Sequence, residues 1–148
     1  MIVVRGCEFP QDRFYHADYN VWVWRGDHGL VTLGATSYGA ALAVEFFAFT
    51  PKPVGTRLEA GRAVGVLELS KTVVSVRTPV AGTVAEVNAL AVAQPAIIST
   101  DPYGAGWLVR LSTTAHDEVF RHLLSGEALA PAFEAEMALE NFIRPGCP

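Results

Sequence analysis

The amino-acid sequence predicts a mainly β fold, a barrel or sandwich of short strands covered by one or two C-terminal helices. Short β-branched segments recur at intervals of about 8–12 residues with Gly or Pro between them, the pattern of an all-β domain. Apolar residues make up 51% of the 148 and charged residues only 18%, so the chain can bury a real core and lacks the composition of a disordered segment. After residue 112 the pattern changes, and apolar residues fall at helical spacing.

Residues 1–19 read as a leader whose aromatics, Phe9, Phe14, Tyr15 and Tyr19, pack it on the body. Val21-Trp22-Val23-Trp24 is a strand, Gly26-Asp27-His28-Gly29 a hairpin turn, and Leu30-Val31-Thr32-Leu33 the returning strand. Ala35 to Ala43 is small and Ala-rich, with Thr36 or Ser37 able to cap one or two helical turns. Val44-Glu45-Phe46-Phe47-Ala48-Phe49 reads as a strand stopped by Pro51 and Pro53. Val54–Leu58 leads through a turn at Glu59-Ala60-Gly61 into the strand Ala63–Leu69. Ser70-Lys71 reverses the chain, and Thr72–Arg77 returns with Val74 and Val76 on one face. Val73, Val74 and Val76, with Val64 and Val66 opposite, are expected to stiffen this hairpin. Thr78-Pro79-Val80-Ala81-Gly82 turns into the strand Thr83–Asn88. A loop punctuated by Pro95, Pro102, Gly104 and Gly106 precedes the strand Trp107–Leu111. Helices are expected over Ala115–Leu124, with Val119, Phe120, Leu123 and Leu124 as its apolar face, and over Pro131–Phe142. The organisation is thus a leader over 1–19, a β body over 20–112 and a helical segment over 113–148.

The net charge of −4 gives no basic field for nucleic acid or an anionic membrane. No apolar run approaches the roughly 20 residues that span a bilayer, and the first residues lack the pattern of a secretory signal, so the expected location is cytoplasmic. Cys7 and Cys147 could meet if the chain ends are close, whereas a reducing cytoplasm favours free thiols. A conventional active site is hard to find. His16, His28, His116 and His122 do not read as a cluster, and neither a nucleophile elbow nor a phosphate-binding glycine loop is present. Asp117 and Glu118 are read as helix-start acids that favour the dipole. The chain is expected to be non-catalytic, and to be a monomer.

One residue stands out chemically. The chain has nine arginines and two lysines, and one lysine, Lys71, falls at a hairpin tip. A guanidinium stays protonated and is a poor nucleophile, whereas an amine can form an amide with a carboxylic-acid cofactor. Lys71 is thus a candidate attachment point on a stiff stub.

The motif Ala63-Val64-Gly65-Val66-Leu67-Glu68-Leu69-Ser70-Lys71, followed by Thr78–Val84 and Val87-Asn88, resembles the lipoyl-bearing hairpin of glycine cleavage H proteins. Asp101-Pro102-Tyr103-Gly104-Ala105-Gly106-Trp107-Leu108 and Val31–Tyr38 resemble further motifs of that family, in order over residues 18–125. The resemblance implies a hybrid barrel-sandwich with C-terminal helices and lipoate in amide linkage on Lys71. It implies that Glu68 takes part in recognition by a lipoyl-attaching ligase or transferase, with Ser70 and Thr72 flanking the site. Biotinyl domains usually flank the lysine with methionines, and lipoyl domains of 2-oxoacid dehydrogenases are shorter.

Two positions depart from the glycine cleavage pattern. Asn20-Val21-Trp22 stands where that family typically has His-Glu-Trp, and Ser75 stands where it has an acid four residues after the lysine. Those acids are placed to favour a cationic aminomethyl group. A sister group, the lipoate-binding proteins of the heterodisulfide-reductase-like sulfur oxidation pathway, shares both departures. Arg5-Gly6-Cys7-Glu8-Phe9-Pro10, Tyr38–Lys52, Lys71-Thr72-Val73 and Gly126-Glu127 are similar to that group. The resemblance implies a swinging-arm carrier of sulfur intermediates for a heterodisulfide-reductase-like complex. The alternatives are a glycine cleavage H protein working with the glycine cleavage proteins, and a structural homologue without lipoate.

Overall fold

In the computed structural model, which describes residues 1–114 and 117–142, the β-branched segments pair into antiparallel sheets. In chain order the strands are β1 (Ile2–Val4), β2 (Cys7–Phe9), β3 (Phe14–His16), β4 (Val21–Arg25), β5 (Leu30–Ala35), β6 (Ala48–Pro51), β7 (Arg57–Leu58), β8 (Ala63–Glu68), β9 (Val73–Arg77), β10 (Gly82–Val87) and β11 (Val109–Ser112). The helices are α1 (Ser37–Ala43), α2 (Ala89–Ala93), α3 (Ile97–Thr100), α4 (Asp117–Arg121) and α5 (Leu129–Leu139). The largest sheet runs β3-β4-β5-β11-β10-β7, a second runs β6-β8-β9, and β1-β2 form a hairpin. The fold is the mainly β barrel-sandwich with C-terminal helices that the sequence predicts.

Alternation decides what lies inside. Val21, Val23, Leu33, Val64, Leu67, Val76, Val84 and Leu111 project into one buried core between the two larger sheets. A second core lies on the other side of β4. There Phe9, Tyr15, Trp22 and Tyr38 pack on Phe133 and Met137 of α5. Gly34 makes this possible: the Trp22 indole lies where a Cβ on residue 34 would sit, 2.4 Å from the ring. Each fully buried aromatic contributes about 2–3 kcal/mol relative to exposure, so the leader and α5 are held chiefly by this cluster. Cys7 is buried in it, and Cys147 lies outside the described residues.

Several local expectations change. Residues 44–47 are not a strand. The strand lies later, at Ala48–Pro51, and includes Pro51, because β6 is a sheet edge where one missing N–H is tolerated. The stretch read as a loop before β11 contains α2 and α3. Asn88 caps α2, its Oδ1 accepting from Leu90 N–H at 3.1 Å. Of the two possible caps of α1, Thr36 is the one used, its Oγ1 accepting from Gly39 N–H at 3.0 Å. The start of the helix expected from Ala115 lies outside the described residues, and α4 covers only Asp117–Arg121, with Asp117 and Glu118 in its first turn. The last helix begins earlier than expected, at Leu129, after a 3-10 turn at Gly126–Ala128. No helix among the described residues is long and apolar enough to cross a membrane.

Candidate functional site

The site is built on the β8–β9 hairpin. Cross-strand partners are Glu68 with Val73, Leu67 with Val74, Val66 with Ser75 and Gly65 with Val76, and a bulge lies between Ala63 and Gly65. The stiffening pairs expected from Val64 and Val66 are therefore not the ones formed: Leu67 faces Val74, and Gly65 faces Val76. Gly65 has a separate duty. A Cβ there would stand 2.7 Å from the Thr50 carbonyl oxygen, so only glycine lets β6 close on this strand. The stub is thus paired on its β6 side and packed on the core through Leu67 and Val76.

The strands end at a single backbone bond, Leu69 N–H to the Thr72 carbonyl at 2.8 Å. Ser70 and Lys71 are the two residues outside it, and both are exposed, as are Glu68 and Thr72. Among the described residues no carboxylate pairs with Lys71, since the four ion pairs are Arg5–Glu134, Arg13–Asp12, Arg25–Asp117 and Arg110–Glu86. The geometry presents one accessible amine at the end of a rigid ribbon.

Beside the stub lies a cleft of about 470 Å³. Its walls come from the open edge of β9, from α1 and from the start of β4, and Leu69 and Val74 lead into it from either side of the tip. Val21 and Ser75, distant in sequence, line the same cleft. So does Asp18, an exposed carboxylate that motif comparison missed because it lies before the Asn20-Val21-Trp22 stretch. Arg77 lines the cleft as well, so one guanidinium and one carboxylate border it, with no ion pair between them. The remaining walls, among them Leu42, Phe46 and Leu67, are mostly apolar, which suits a hydrocarbon arm.

The histidines are partly brought together. His16 and His122 line one shallow cavity with Tyr19, although the sequence gives them no common spacing. The link is a two-way bridge, in which Tyr15 N–H donates to Leu124 O at 2.9 Å and Leu124 N–H to Tyr15 O at 2.8 Å. The His16 ring stacks on Tyr19 at 3.7 Å, and its Nδ1 accepts from Tyr19 N–H. Burial holds the His16 imidazole below its ordinary pKa, against a smaller opposing pull from Asp18. No group of three metal-ligating side chains occurs among the described residues, and His116 lies outside them.

The Asp101–Leu108 motif has a structural duty. Asp101 Oδ2 accepts from Ala105 N–H at 2.9 Å. Asn88 Nδ2 donates to the carbonyls of Ala105 and Trp107 at 2.8 and 2.7 Å. Trp22 Nε1–H donates to Pro102 O at 3.0 Å. The Tyr103 hydroxyl donates to Glu8 O at 2.7 Å and accepts from Ser37 N–H at 3.0 Å. Burial pushes the Tyr103 phenol up to about 12. The loop ties leader, α1 and sheet together on the far face of β4 from the cleft.

A barrel-sandwich that offers a bare hairpin-tip lysine beside an apolar cleft is the architecture of a protein that bears a group for others. Comparison with known proteins makes this specific. The family model for the glycine cleavage H-protein matches residues 13–136. The chain is 36% identical over 121 residues to glycine cleavage system H protein 5 of Aquifex aeolicus, covering 80% of this chain and 82% of that one. It is 34% identical over 143 residues to probable glycine cleavage system H protein 2 of Saccharolobus solfataricus, covering 95% and 96%. The crystal structure of a glycine cleavage system H protein from Mycobacterium marinum superposes with a TM-score of 0.70 at 35% identity, covering 90% of this chain and 98% of that one. The chain belongs to the glycine cleavage H-protein family.

Proposed function

We propose that this protein is a lipoyl carrier, with lipoate in amide linkage on Lys71, and that it carries sulfur intermediates to a heterodisulfide-reductase-like complex. The observation that carries the reading is the exposed, unpaired Lys71 amine on a core-anchored ribbon, one turn from a cleft with apolar walls. In the attachment step the lysine amine attacks an activated lipoyl acyl group, an amide bond forms, and the activating group and a proton leave. Glu68, exposed three residues earlier, is the acid a lipoyl ligase or transferase would read, with Ser70 and Thr72 framing the amine. When bound, lipoate supplies a dithiol that accepts a group or electrons, while the chain itself is not a catalyst. The chain's own contribution is mechanical and electrostatic. The ribbon would fix the base of the arm, and the apolar cleft walls would shelter it from water.

The cleft favours a neutral or anionic cargo over a cationic one. Val21 and Ser75 put no charge there, and the lining holds one guanidinium, Arg77, for its one carboxylate, Asp18. A cation placed in such a cleft gains little of the carboxylate stabilisation that would hold it. A second reading, an H protein carrying the aminomethyl group for glycine cleavage proteins, is favoured by the names of the relatives and by the Asp18 carboxylate in the cleft. We place the protein in the cytoplasm as a monomer.

Reconstitution separates the two readings. The lipoylated protein is supplied in turn to the glycine cleavage enzymes and to the heterodisulfide-reductase-like complex. The sulfur reading predicts turnover with the second and at most marginal turnover with the first, improved by Val21→Glu with Ser75→Asp. Full activity of the unaltered protein with the glycine cleavage enzymes would contradict it.

A further inference from the structure

All three tryptophans of the chain line one shallow pocket of about 170 Å³. Trp22 and Trp24 come from β4, Trp107 precedes β11, and Tyr103 joins them. Val21 lines the cleft, so Trp22, the next residue, projects from the opposite face of the sheet. The leader and α5 bury Trp22 but stop short of its neighbours. Trp24 is 44% exposed, and the Arg110 side chain is 32% exposed. Register sets Trp24 beside Thr32, Thr32 beside Arg110 and Arg110 beside Glu86, in one row across β4, β5, β11 and β10.

Two arginines stand in this pocket, and no carboxylate is among its described lining residues. Both guanidiniums are held on aromatic faces. Arg13 lies 4.6 Å from the Trp22 ring centre and 5.4 Å from that of Tyr103, and Arg110 lies 4.0 Å from that of Trp107. Hydrogen bonds fix them further: Arg13 Nη1 donates to Tyr103 O at 3.1 Å, and Arg110 Nε to Thr32 Oγ1 at 3.2 Å. A guanidinium locked in this way loses little further freedom when it binds an anion. Arg110 also keeps donors in hand. Its Nη1 donates to Glu86 at 2.7 Å, and its Nη2 donates to no acceptor among the described residues. The acids that pair with the two arginines, Asp12 and Glu86, have side chains 62% and 55% exposed, and exposed pairs of this kind hold weakly. In a chain of net charge −4, two positive groups share one concave spot.

We propose that this pocket binds a small, doubly charged tetrahedral oxyanion, of the sulfate or phosphate class, between Arg13 and Arg110. The size fits a compact ion, since pockets that enclose drug-sized ligands run to roughly 300–1,000 Å³. Guanidinium N–H groups recognise such oxygens through charge-assisted hydrogen bonds. A dianion gains from both cations at once, and a singly charged carboxylate gains less. Lipoate plays no part in this binding, so the site goes beyond the carrier reading.

The test reads intrinsic tryptophan fluorescence of the full chain, because every indole lines the pocket. Potassium sulfate, phosphate and acetate are titrated in turn at slightly alkaline pH, with ionic strength held constant by potassium chloride. Sulfate or phosphate is expected to give a saturating change with a midpoint of about 1 mM. Acetate is expected to bind about tenfold more weakly. Arg110→Gln, with its fold checked by circular dichroism, is expected to weaken dianion binding about tenfold or more. Glu86→Gln, which frees Arg110 Nη1 and leaves both arginines in place, is expected to tighten it about two- to fivefold. Arg25→Gln removes the same charge elsewhere, from an arginine stacked on Phe120 and paired with Asp117, and is expected to leave the midpoint unchanged. A change that never saturates, an unaltered midpoint in Arg110→Gln, an equal loss in Arg25→Gln, or acetate binding as tightly as either dianion would overturn the proposal. So would a Glu86→Gln chain that binds no tighter than wild type, and that variant decides the matter should Arg110→Gln fail to fold.

Discussion

Two connections between strands invite comparison. The turn over 69–72 is closed by one backbone bond and leaves Ser70, Lys71 and Thr72 in solvent. The loop over 101–107 is clasped from several directions, by Asp101 within it, by Asn88 from β10's end, by Trp22 from β4 and by Ser37 from α1. Arg13 adds to the clasp, donating to Tyr103 O at 3.1 Å with its guanidinium over Trp22 at 4.6 Å from the ring centre. Both segments resemble motifs of the family, and the structure treats them in opposite ways. The first is left open, which on the carrier reading proposed above lets another protein reach one amine. The second is kept shut so that leader, sheet and helix move as one body. A shared motif is therefore not by itself a site; the satisfied one is scaffold, and the unsatisfied one is the place to look for chemistry.

The comparison breaks if the clasped loop proves dispensable. Asn88→Ala removes both donors to the Ala105 and Trp107 carbonyls and the α2 cap, and is expected to cost about 3 kcal/mol in urea unfolding. Tyr103→Phe loses the hydroxyl's bonds to Glu8 and Ser37 and is expected to cost about 1–1.5 kcal/mol in the same measurement. A smaller effect sharpens the picture with pH. The His16 pKa is lowered on folding, so the unfolded chain binds the proton more tightly. Its contribution to stability is full above the unfolded value near 6.5 and is lost as pH falls from there toward the folded value. His16→Gln should therefore flatten the decline in stability between pH 7 and pH 5, seen in denaturant midpoints. At the open tip, Ser70→Ala and Thr72→Ala should shift stability by no more than about 0.5 kcal/mol.

What could be read in the sequence follows the same division. The strands around the tip were legible because valines alternate and Gly or Pro marks each reversal, as in β8, β9 and β10. Lys71 was legible because an amine is rare in this chain and its neighbours are uncharged apart from Glu68. Four- and five-residue helices such as α3 and α2 have too few turns to show a period, though Asn88 before Ala89 was an available cap signal. Pro51 misled because proline excludes a central strand and not an edge one, and edge position is a tertiary property. The cleft was half legible. Val21 and Ser75 could be named from the sequence, but Asp18 and Arg77 join them only through the packing of β4 against the edge of β9. His16 and His122 likewise meet only through the Tyr15–Leu124 bridge.

The central claim is that Lys71 bears the cofactor. The measurement is intact mass with peptide mapping after co-expression with a lipoyl ligase and lipoate, for wild type and Lys71→Arg. The account predicts one lipoyl adduct, located on Lys71 and absent from Lys71→Arg, with the melting temperature unchanged because the side chain is exposed. An unmodified wild type under conditions that modify a control H protein, or an adduct on Lys52 instead, would contradict it.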